Sequence, residues 1–229
     1  MSDNPVEITS DSILDFSYFY KNHLIPDCTL VFPDGSKILA HRIILSNWSI
    51  FFEDAFTSGM QEDSTREVSI VFNPCNLLPA IVNFMYSTSI EINQENLMPL
   101  LEISHFYGVT KLFNDLKSKL DHCLDQNNIF DFVDQCYNLE LKQSLALLKP
   151  YLARLYNLIN IQQFSDKLDI VTFCHVLTSA TENGIFQGDV VSELNTFLNG
   201  TKPSTKEETN ELDKVIQIFG NPNRIKPLW

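Results

Sequence analysis

Strand-forming patterns occur only in the first half of this chain, and from Asn127 onward every pattern is helical. Short runs rich in β-branched and aromatic residues at 29–32, 37–40 and 67–72 predict strands. Beyond residue 127, apolar residues recur instead at steps of three and four, which is typical of amphipathic helices. We therefore predict two parts that meet near residues 124–127, the first α+β and the second all-helical.

The first part begins with a predicted helix and a predicted hairpin. Residues 33–35, Pro-Asp-Gly, separate the first two strands and predict a tight turn, because proline presets φ and glycine accepts positive φ. A helix is predicted before this hairpin, over residues 10–23, with Phe16 and Tyr20 on its apolar face. Further helices are predicted at residues 42–48, 50–58, 73–87, 95–107 and 109–124, with a short extended segment at 89–92.

The second part carries two signals besides its general helical periodicity. Five leucines and Ile159 recur at alternating steps of four and three from Leu141 onward, which is typical of a coiled-coil seam or of a core-facing bundle helix. The short length favours the bundle helix, and Pro150 inside it predicts a kink or a break. Thr205 and Glu208 match a capping box and predict the start of a last amphipathic helix. Other helices are predicted at residues 128–137, 170–180 and 189–198.

The net charge argues against one class of partner, and the cysteines indicate the cellular compartment. The chain has 16 Lys and Arg against 29 Asp and Glu, a net charge of −13, which repels phosphate backbones and argues against nucleic-acid binding. Its five cysteines form no Cys-x-x-Cys pair, which is typical of small buried residues in a reducing compartment. We expect no secretory signal, because the first residues are polar and acidic, and no membrane span, because no apolar run reaches about 18–20 residues. We expect a soluble cytoplasmic protein without membrane contact, with the nucleus as the alternative location.

No combination of residues in the sequence supports catalysis or a bound cofactor. Cys174 and His175 are neighbours on a predicted helix, where adjacent side chains point about 100° apart and do not face each other. The seven glycines form no phosphate-binding loop, and no metal-ligand spacing occurs. We therefore expect no catalytic, cofactor-binding or metal-binding residues, and no enzymatic activity.

Five short motifs, in order along the first part, resemble those of the BTB/POZ family. The resemblance covers residues 11–124, and residues 1–10 are expected to form an N-terminal tail. The motifs are Asp27-Cys28-Thr29-Leu30, Ala40-His41-Arg42-Ile43-Ile44-Leu45, Ser49-Ile50-Phe51-Phe52, Phe56-Thr57-Ser58-Gly59-Met60-Gln61-Glu62 and Phe84-Met85-Tyr86-Ser87.

The resemblance implies a fold, a dimer and a partner. The fold is the BTB/POZ fold, a small mixed sheet flanked by helices, in which structural roles fall to a set of motif residues. That set is Asp27, His41, Arg42, Ser49 and Phe52. The first helix of the family packs across a two-fold axis, which implies a homodimer interface at Ile13, Phe16, Phe19 and Tyr20. Met60 and Glu62 match the hydrophobic-x-Glu element with which BTB proteins bind a cullin scaffold.

The second part resembles the helical BACK domain that follows BTB in kelch-like proteins, over residues 125–200. Residues 201–229 are expected to form a linker, an amphipathic helix and a tail, and we expect no kelch propeller because the chain ends too soon for one. The implied function is that of a homodimeric protein-interaction adaptor for a cullin-RING E3 ubiquitin ligase, which presents a substrate protein for ubiquitination. The alternative is a BTB oligomerisation scaffold that binds no cullin.

Overall fold

The computed structural model describes residues 6–9, 15–57, 65–199 and 202–220, and residues 6–9 as backbone only. Ile13, Met60 and Glu62, for which interface roles are predicted, lie outside these residues. The chain divides into two compact units, one comprising residues 1–123 and 138–144 and the other residues 124–137 and 145–229.

The first unit contains strands and helices in alternation. Its elements are β1 Val6–Thr9, α1 Ser17–Lys21, β2 Cys28–Val31, β3 Lys37–Ala40, α2 Arg42–Trp48, α3 Ile50–Thr57, β4 Glu67–Ser69, a 3-10 turn at Pro74–Asn76, α4 Leu78–Ser87, β5 Ser89–Ile92, α5 Leu97–Phe106 and α6 Thr110–Cys123.

Within the described residues, β3, β2 and β4 form a small mixed sheet of three strands in that order. Strand β2 runs antiparallel to β3 and parallel to β4, and the long parallel connection carries α2 and α3. The predicted hairpin turn is confirmed, because Gly35 adopts a φ of +82° and Asp34 Oδ1 accepts a 2.9 Å hydrogen bond from the Ser36 N–H. The predicted α+β class of the first part is therefore confirmed.

A second sheet arises from a strand that was not predicted. Strand β1 pairs antiparallel with β5, with Val6 opposite Ile92, in the segment for which we expected an N-terminal tail. The four-residue run Val-Glu-Ile-Thr is too short to predict a strand by itself. The helix predicted over residues 10–23 is observed at Ser17–Lys21, with residues 10–14 outside the described residues.

The core of the first unit forms around α4 and α5. Most residues of α4 are buried, and so are Leu97–Ser104 of α5. Leu30 of β2, Leu45 of α2 and Phe52 of α3 are each 0% exposed. Burial of this many branched and aromatic side chains supplies the main favourable free energy of folding.

The described residues beyond 124 are helical, which confirms the predicted class of the second part. The elements are α7 Ile129–Asn138, α8 Lys142–Arg154, a 3-10 turn at Tyr156–Leu158, α9 Ile161–Lys167, α10 Ile170–Glu182, α11 Val190–Leu198 and α12 Lys206–Phe219. The predicted capping box is present, because the Thr205 and Glu208 side chains each bond the backbone N–H of the other. None of the described helices combines the length and the apolar character that a membrane span requires.

Two helical predictions of the second part need correction. Helix α8 includes Pro150 and continues to Arg154, so the predicted break does not occur there, and the alternative, a kink, stays a prediction. The leucine stripe is not one helix, since the chain turns at Tyr156–Leu158 and Ile159 is extended. Helix α9 was not predicted, although Asn160 and Gln163 form a capping box at its start.

Candidate functional site

An apolar cavity of the first unit lies between α1, α2 and α4. It has a volume of about 170 Å³, and we call the residues that line it the α1–α2 surface. These residues are Phe16, Phe19, His41, Ile43, Ile44 and Tyr86. Ile43 is 78% exposed, and Tyr18, whose ring contacts that of Phe19 edge-to-face, is 66% exposed. Large apolar side chains that project into water from one contiguous region are typical of a protein-binding surface.

The predicted dimer residues occupy different positions on α1 and just before it. Phe19 is exposed and contacts Phe16 edge-to-face at 6.4 Å between ring centroids. Tyr20 instead packs inward and stacks on Tyr86 at 4.8 Å, and burial raises the pKa of Tyr20 above its usual value. The structure therefore brings Phe16 and Phe19 to the α1–α2 surface and places Tyr20 beneath it.

The sequence analysis did not identify Ile43 and Ile44 as surface residues. The sequence carried a signal for them, because adjacent residues on a helix point about 100° apart, so on a helix with one buried face two neighbouring isoleucines do not both reach the core. Only Leu45 of helix α2 is fully buried, which leaves Ile43 in solvent and Ile44 half-buried in the cavity wall.

His41 holds the base of the α1–α2 surface together. Its Nε2 lies 2.6 Å from the Leu24 carbonyl oxygen, and because a carbonyl only accepts, Nε2 carries the proton. Nδ1 of His41 lies 2.9 Å from the Tyr86 hydroxyl oxygen, and that hydroxyl accepts from the His41 backbone N–H at 2.8 Å. Burial is the main cause that raises the pKa of Tyr86, so its hydroxyl keeps its proton. These contacts of His41, the residue before α2, join the start of α2 to Tyr86 of α4 and to Leu24 in the segment after α1.

Asp27 and Arg42 meet at the start of α2. Asp27 Oδ1 accepts from the Arg42 backbone N–H at 2.8 Å, and Oδ2 accepts from Arg42 Nε at 3.4 Å. The carboxylate thus satisfies a free N–H of the first turn of the helix. The two side chains remain 41% and 31% exposed, so their ion pair itself contributes at most about 1 kcal/mol. The arrangement is that of a structural cap.

Ser49 and Phe52 connect the α2–α3 corner to the end of α5. The Ser49 hydroxyl donates to the Tyr107 carbonyl oxygen at 2.5 Å and accepts from the Phe52 N–H at 3.2 Å. The Phe52 ring stacks on Tyr107 with 5.7 Å between centroids and 8° between planes. Burial raises the pKa of Tyr107 to about 12, and its hydroxyl donates to the Phe72 carbonyl oxygen. These contacts position the corner and leave no reactive group free.

Among the residues that the structure describes, no group of three His, Cys, Asp or Glu residues is close enough to hold a metal ion. Cys174 is buried, and burial raises the pKa of its thiol to about 12, which disfavours the nucleophilic thiolate. His175 contacts Lys149 and Glu211 instead of the neighbouring thiol.

Comparison with known proteins gives matches to one family. The sequence model of the BTB/POZ domain matches residues 16–124. Kelch-like protein 23 of Mus musculus is 30% identical over 139 residues, which cover 58% of this chain and 25% of that protein. Kelch-like protein 36 of Mus musculus is 25% identical over 194 residues, covering 85% of this chain and 28% of that protein.

One more curated relative and one solved structure also match parts of this chain. The human Kelch repeat and BTB domain-containing protein 12 is 23% identical over 198 residues, which cover 84% of this chain and 31% of that protein. The solved BTB domain of zebrafish PATZ1 is 18% identical with a TM-score of 0.41, covering 47% of this chain and 86% of that chain. The chain spans 25% to 31% of the length of these curated relatives.

Proposed function

We propose that residues 16–124, which match the BTB/POZ domain, give this protein the role of a homodimeric adaptor that recruits partner proteins and has no enzymatic activity. The α1–α2 surface is the observation that carries the proposal. Its exposed residues Phe19 and Ile43 are apolar and lie beside a cavity that another apolar side chain can fill.

A second copy of the chain is the proposed occupant of this surface. A two-fold axis places the same patch on both sides of the contact, so a single apolar surface is sufficient for a self-complementary interface. A stable obligate dimer buries on the order of 2,000 Å² in total, which requires neighbouring segments in addition to the cavity residues.

Sedimentation velocity of the full chain at about micromolar concentration tests the dimer. We expect the wild type to sediment as a dimer and the Phe16→Asp, Phe19→Asp double variant to sediment as a monomer, because each buried unpaired charge costs several kcal/mol. The matched control is Val71→Asp, which adds a charge at a 75% exposed apolar residue beyond β4 and should leave the dimer intact. A monomeric wild type would contradict the proposal.

We further propose that the adaptor binds a cullin scaffold and so belongs to a cullin-RING E3 ubiquitin ligase. Support comes from the hydrophobic-x-Glu element at Met60 and Glu62, which stands in the expected place after Ser49-Ile50-Phe51-Phe52. Met60 would enter an apolar pocket of the partner while the Glu62 carboxylate accepts from a donor beside it. Residues 125–200 would act as the BACK-like region that extends this contact.

Calorimetric titration with a purified N-terminal cullin fragment tests this assignment. Met60→Ala and Glu62→Ala should each weaken binding, by about 2 kcal/mol or roughly thirtyfold in Kd for the apolar anchor. The melting temperature and the dimer should stay unchanged. Binding that survives the double substitution would contradict the site, and a wild-type dimer without binding would favour the scaffold alternative.

A further inference from the structure

The imidazole ring of His175 in α10 lies between two charged groups that come from different helices of the second unit. Its Nδ1 is 2.9 Å from Nζ of Lys149 in α8, and its Nε2 is 3.6 Å from Oε2 of Glu211 in α12. Lys214, which also belongs to α12, donates to the other carboxylate oxygen of Glu211. One side of the ring therefore faces a cation, and the other side faces an anion.

The two protonation states of His175 favour different neighbours. An ammonium group only donates, so the contact with Lys149 requires a lone pair on Nδ1 and hence a neutral ring with its proton on Nε2. A protonated ring carries an N–H group on both nitrogens and accepts from neither side. Its positive charge repels the Lys149 ammonium at Nδ1 and attracts the Glu211 carboxylate at Nε2.

We propose that His175 is a proton-controlled switch that exchanges one helix partner for another. The neutral ring holds α8 through Lys149, whereas the protonated ring releases Lys149 and pairs with Glu211 of α12. Proton binding thereby moves local stability from the α8 contact to the α12 contact within the second unit. The inference does not depend on the proposed adaptor function.

The groups around the ring set the pH range in which the exchange takes place. Burial lowers the pKa of His175 most, and the charges of Lys149 and Lys214 act in the same direction. Glu211 and Asp169, the residue before α10, oppose them. The His175 side chain is 46% exposed, so a proton reaches it from solvent without unfolding of the chain. The neutral state therefore dominates near neutral pH, and the exchange takes place in acidic solution, below a pH of about 6.5.

Apolar packing holds both helices while the polar partner changes. Leu148 and Leu152 of α8 are each 0% exposed, and α12 buries Leu212, Val215 and Ile216. The exchange therefore alters one polar contact on each helix and leaves the core of the second unit packed. Variants of the polar groups should consequently keep the fold.

Double-mutant cycles in the full chain test the exchange on both sides of the pKa. NMR spectra of isotope-labelled histidine first give the pKa of His175, and urea unfolding is then measured about one pH unit above and below it. Above it, His175→Leu and Lys149→Met should couple by about twofold to fivefold in the equilibrium constant of unfolding, whereas His175→Leu and Glu211→Gln should couple little. Below it, the Glu211 cycle should show this coupling, and the Lys149 cycle should lose it or change its sign.

The matched control is the ion pair of Lys167 and Asp134, which lies in the same unit, is exposed to a similar degree and contains no histidine. The coupling of this pair should be equal at the two pH values. A coupling of His175 to Glu211 that does not grow below the pKa would overturn the switch, and so would a coupling to Lys149 that persists there. A ring that binds no proton before the chain unfolds would overturn it as well.

Discussion

At the scale of single residues, Glu102 is a charged residue that is buried in the first unit. Its side chain lies in α5, the residue is 7% exposed, and its carboxylate accepts from the backbone N–H groups of Gln143 at 3.1 Å and Ser144 at 2.6 Å. The Ser144 hydroxyl adds a third donor at 2.7 Å. These residues form the first turn of α8, where backbone N–H groups lack helical partners and favour an anion.

Glu102→Gln should therefore destabilise the protein although it preserves the shape of the side chain. The amide can offer only one oxygen and turns an N–H₂ group toward donors, so we expect a loss of about 1–3 kcal/mol in the free energy of unfolding. Thermal unfolding should show a lower Tm by roughly 2–4 °C per kcal/mol. The control is Glu91→Gln in β5, which removes an exposed carboxylate and should leave Tm unchanged. Equal Tm values for both variants would contradict the buried-cap interpretation.

His175 of α10 is surrounded by charged groups of two other helices. Its Nδ1 lies 2.9 Å from Lys149 Nζ of α8, and its Nε2 lies 3.6 Å from Glu211 Oε2 of α12. Because Lys149 only donates, Nδ1 must accept, which requires neutral His175. Burial and then the charge of Lys149 lower the pKa of His175 below 6.5, with Lys214 acting in the same direction and Glu211 and Asp169 opposing it.

The lowered pKa of His175 predicts a loss of stability in mildly acidic solution. Below pH 6.5 the unfolded chain binds a proton at this site more readily than the folded chain, so the free energy of unfolding falls as the pH falls from 6.5 toward the folded pKa. We expect the fall in Tm between about pH 7.5 and about pH 5.5 to be smaller in His175→Gln than in the wild type. The exposed His122→Gln is the control, and an unchanged pH dependence in His175→Gln would refute the prediction.

At the scale of elements, α12 shows how local sequence sets a helix boundary. The Thr205 hydroxyl accepts from the Glu208 N–H at 3.1 Å, and Glu208 Oε2 accepts from the backbone N–H of Ser204 at 2.6 Å and of Thr205 at 3.0 Å. These bonds lower the pKa of Glu208, with the Ser204 backbone as the largest cause. Leu212, Val215 and Ile216 bury the other face of the helix.

Thr205→Ala should shorten or loosen α12 at its start. Loss of the capping hydroxyl typically costs about 1 kcal/mol, which a urea titration followed by circular dichroism resolves as a lower midpoint. Thr209→Ala is the matched control, since it makes the same substitution one turn later and replaces a back-bonded threonine by a better helix former. Its midpoint should equal or exceed that of the wild type, and a Thr205→Ala midpoint no lower than that of the wild type would argue against the cap.

Elements were predictable where their signals lie among adjacent residues. The 33–35 turn, the helix starts at Ser49 and Thr205, and the helical class of the second part depend on contacts within a few residues. Helix α8 departs from its local signal, since Pro150 removes a backbone N–H yet the helix continues to Arg154. Leu148 and Leu152 on either side of the exposed proline are each 0% exposed, and burial of such side chains can offset the local cost of the proline.

At the scale of the whole molecule, the net charge opposes association of two chains. A dimer carries twice the −13 of one chain, so long-range repulsion should weaken the proposed interface at low ionic strength. We expect the dimer Kd to fall about threefold or more as sodium chloride rises from about 0.01 M to about 0.3 M, where the Debye length falls from about 30 Å to below 8 Å.

Analytical ultracentrifugation across this salt series measures the effect. Screening of the charges acts mainly below about 0.3 M salt, whereas salting-out of apolar surface grows steadily at higher salt. The dependence of the dimer Kd on salt concentration therefore separates screening from salting-out. A Kd that does not change below 0.3 M would show that the charges lie too far from the interface to repel.

The sequence by itself determined the two structural classes, the order of most elements and the family motifs, whereas β1, α9 and the surface positions of Ile43 and Ile44 were not predicted. These properties depend on side-chain periodicity and on capping and turn chemistry within about four residues of each position. The predicted roles of Phe16 and Phe19 follow from the family resemblance, and those of Met60 and Glu62 remain predictions of the same kind.

Only the tertiary structure decided which distant segments meet and which apolar residues stay in water. Val6 pairs with Ile92, Glu102 caps the turn at Ser144, and His41 joins Leu24 to Tyr86. Ile25 likewise takes its positive φ from bonds made on either side of it, against its own backbone preference. Local sequence cannot specify such contacts, because the groups that form them are far apart in the chain. These groups lose their contacts with water together, and only when the whole domain folds.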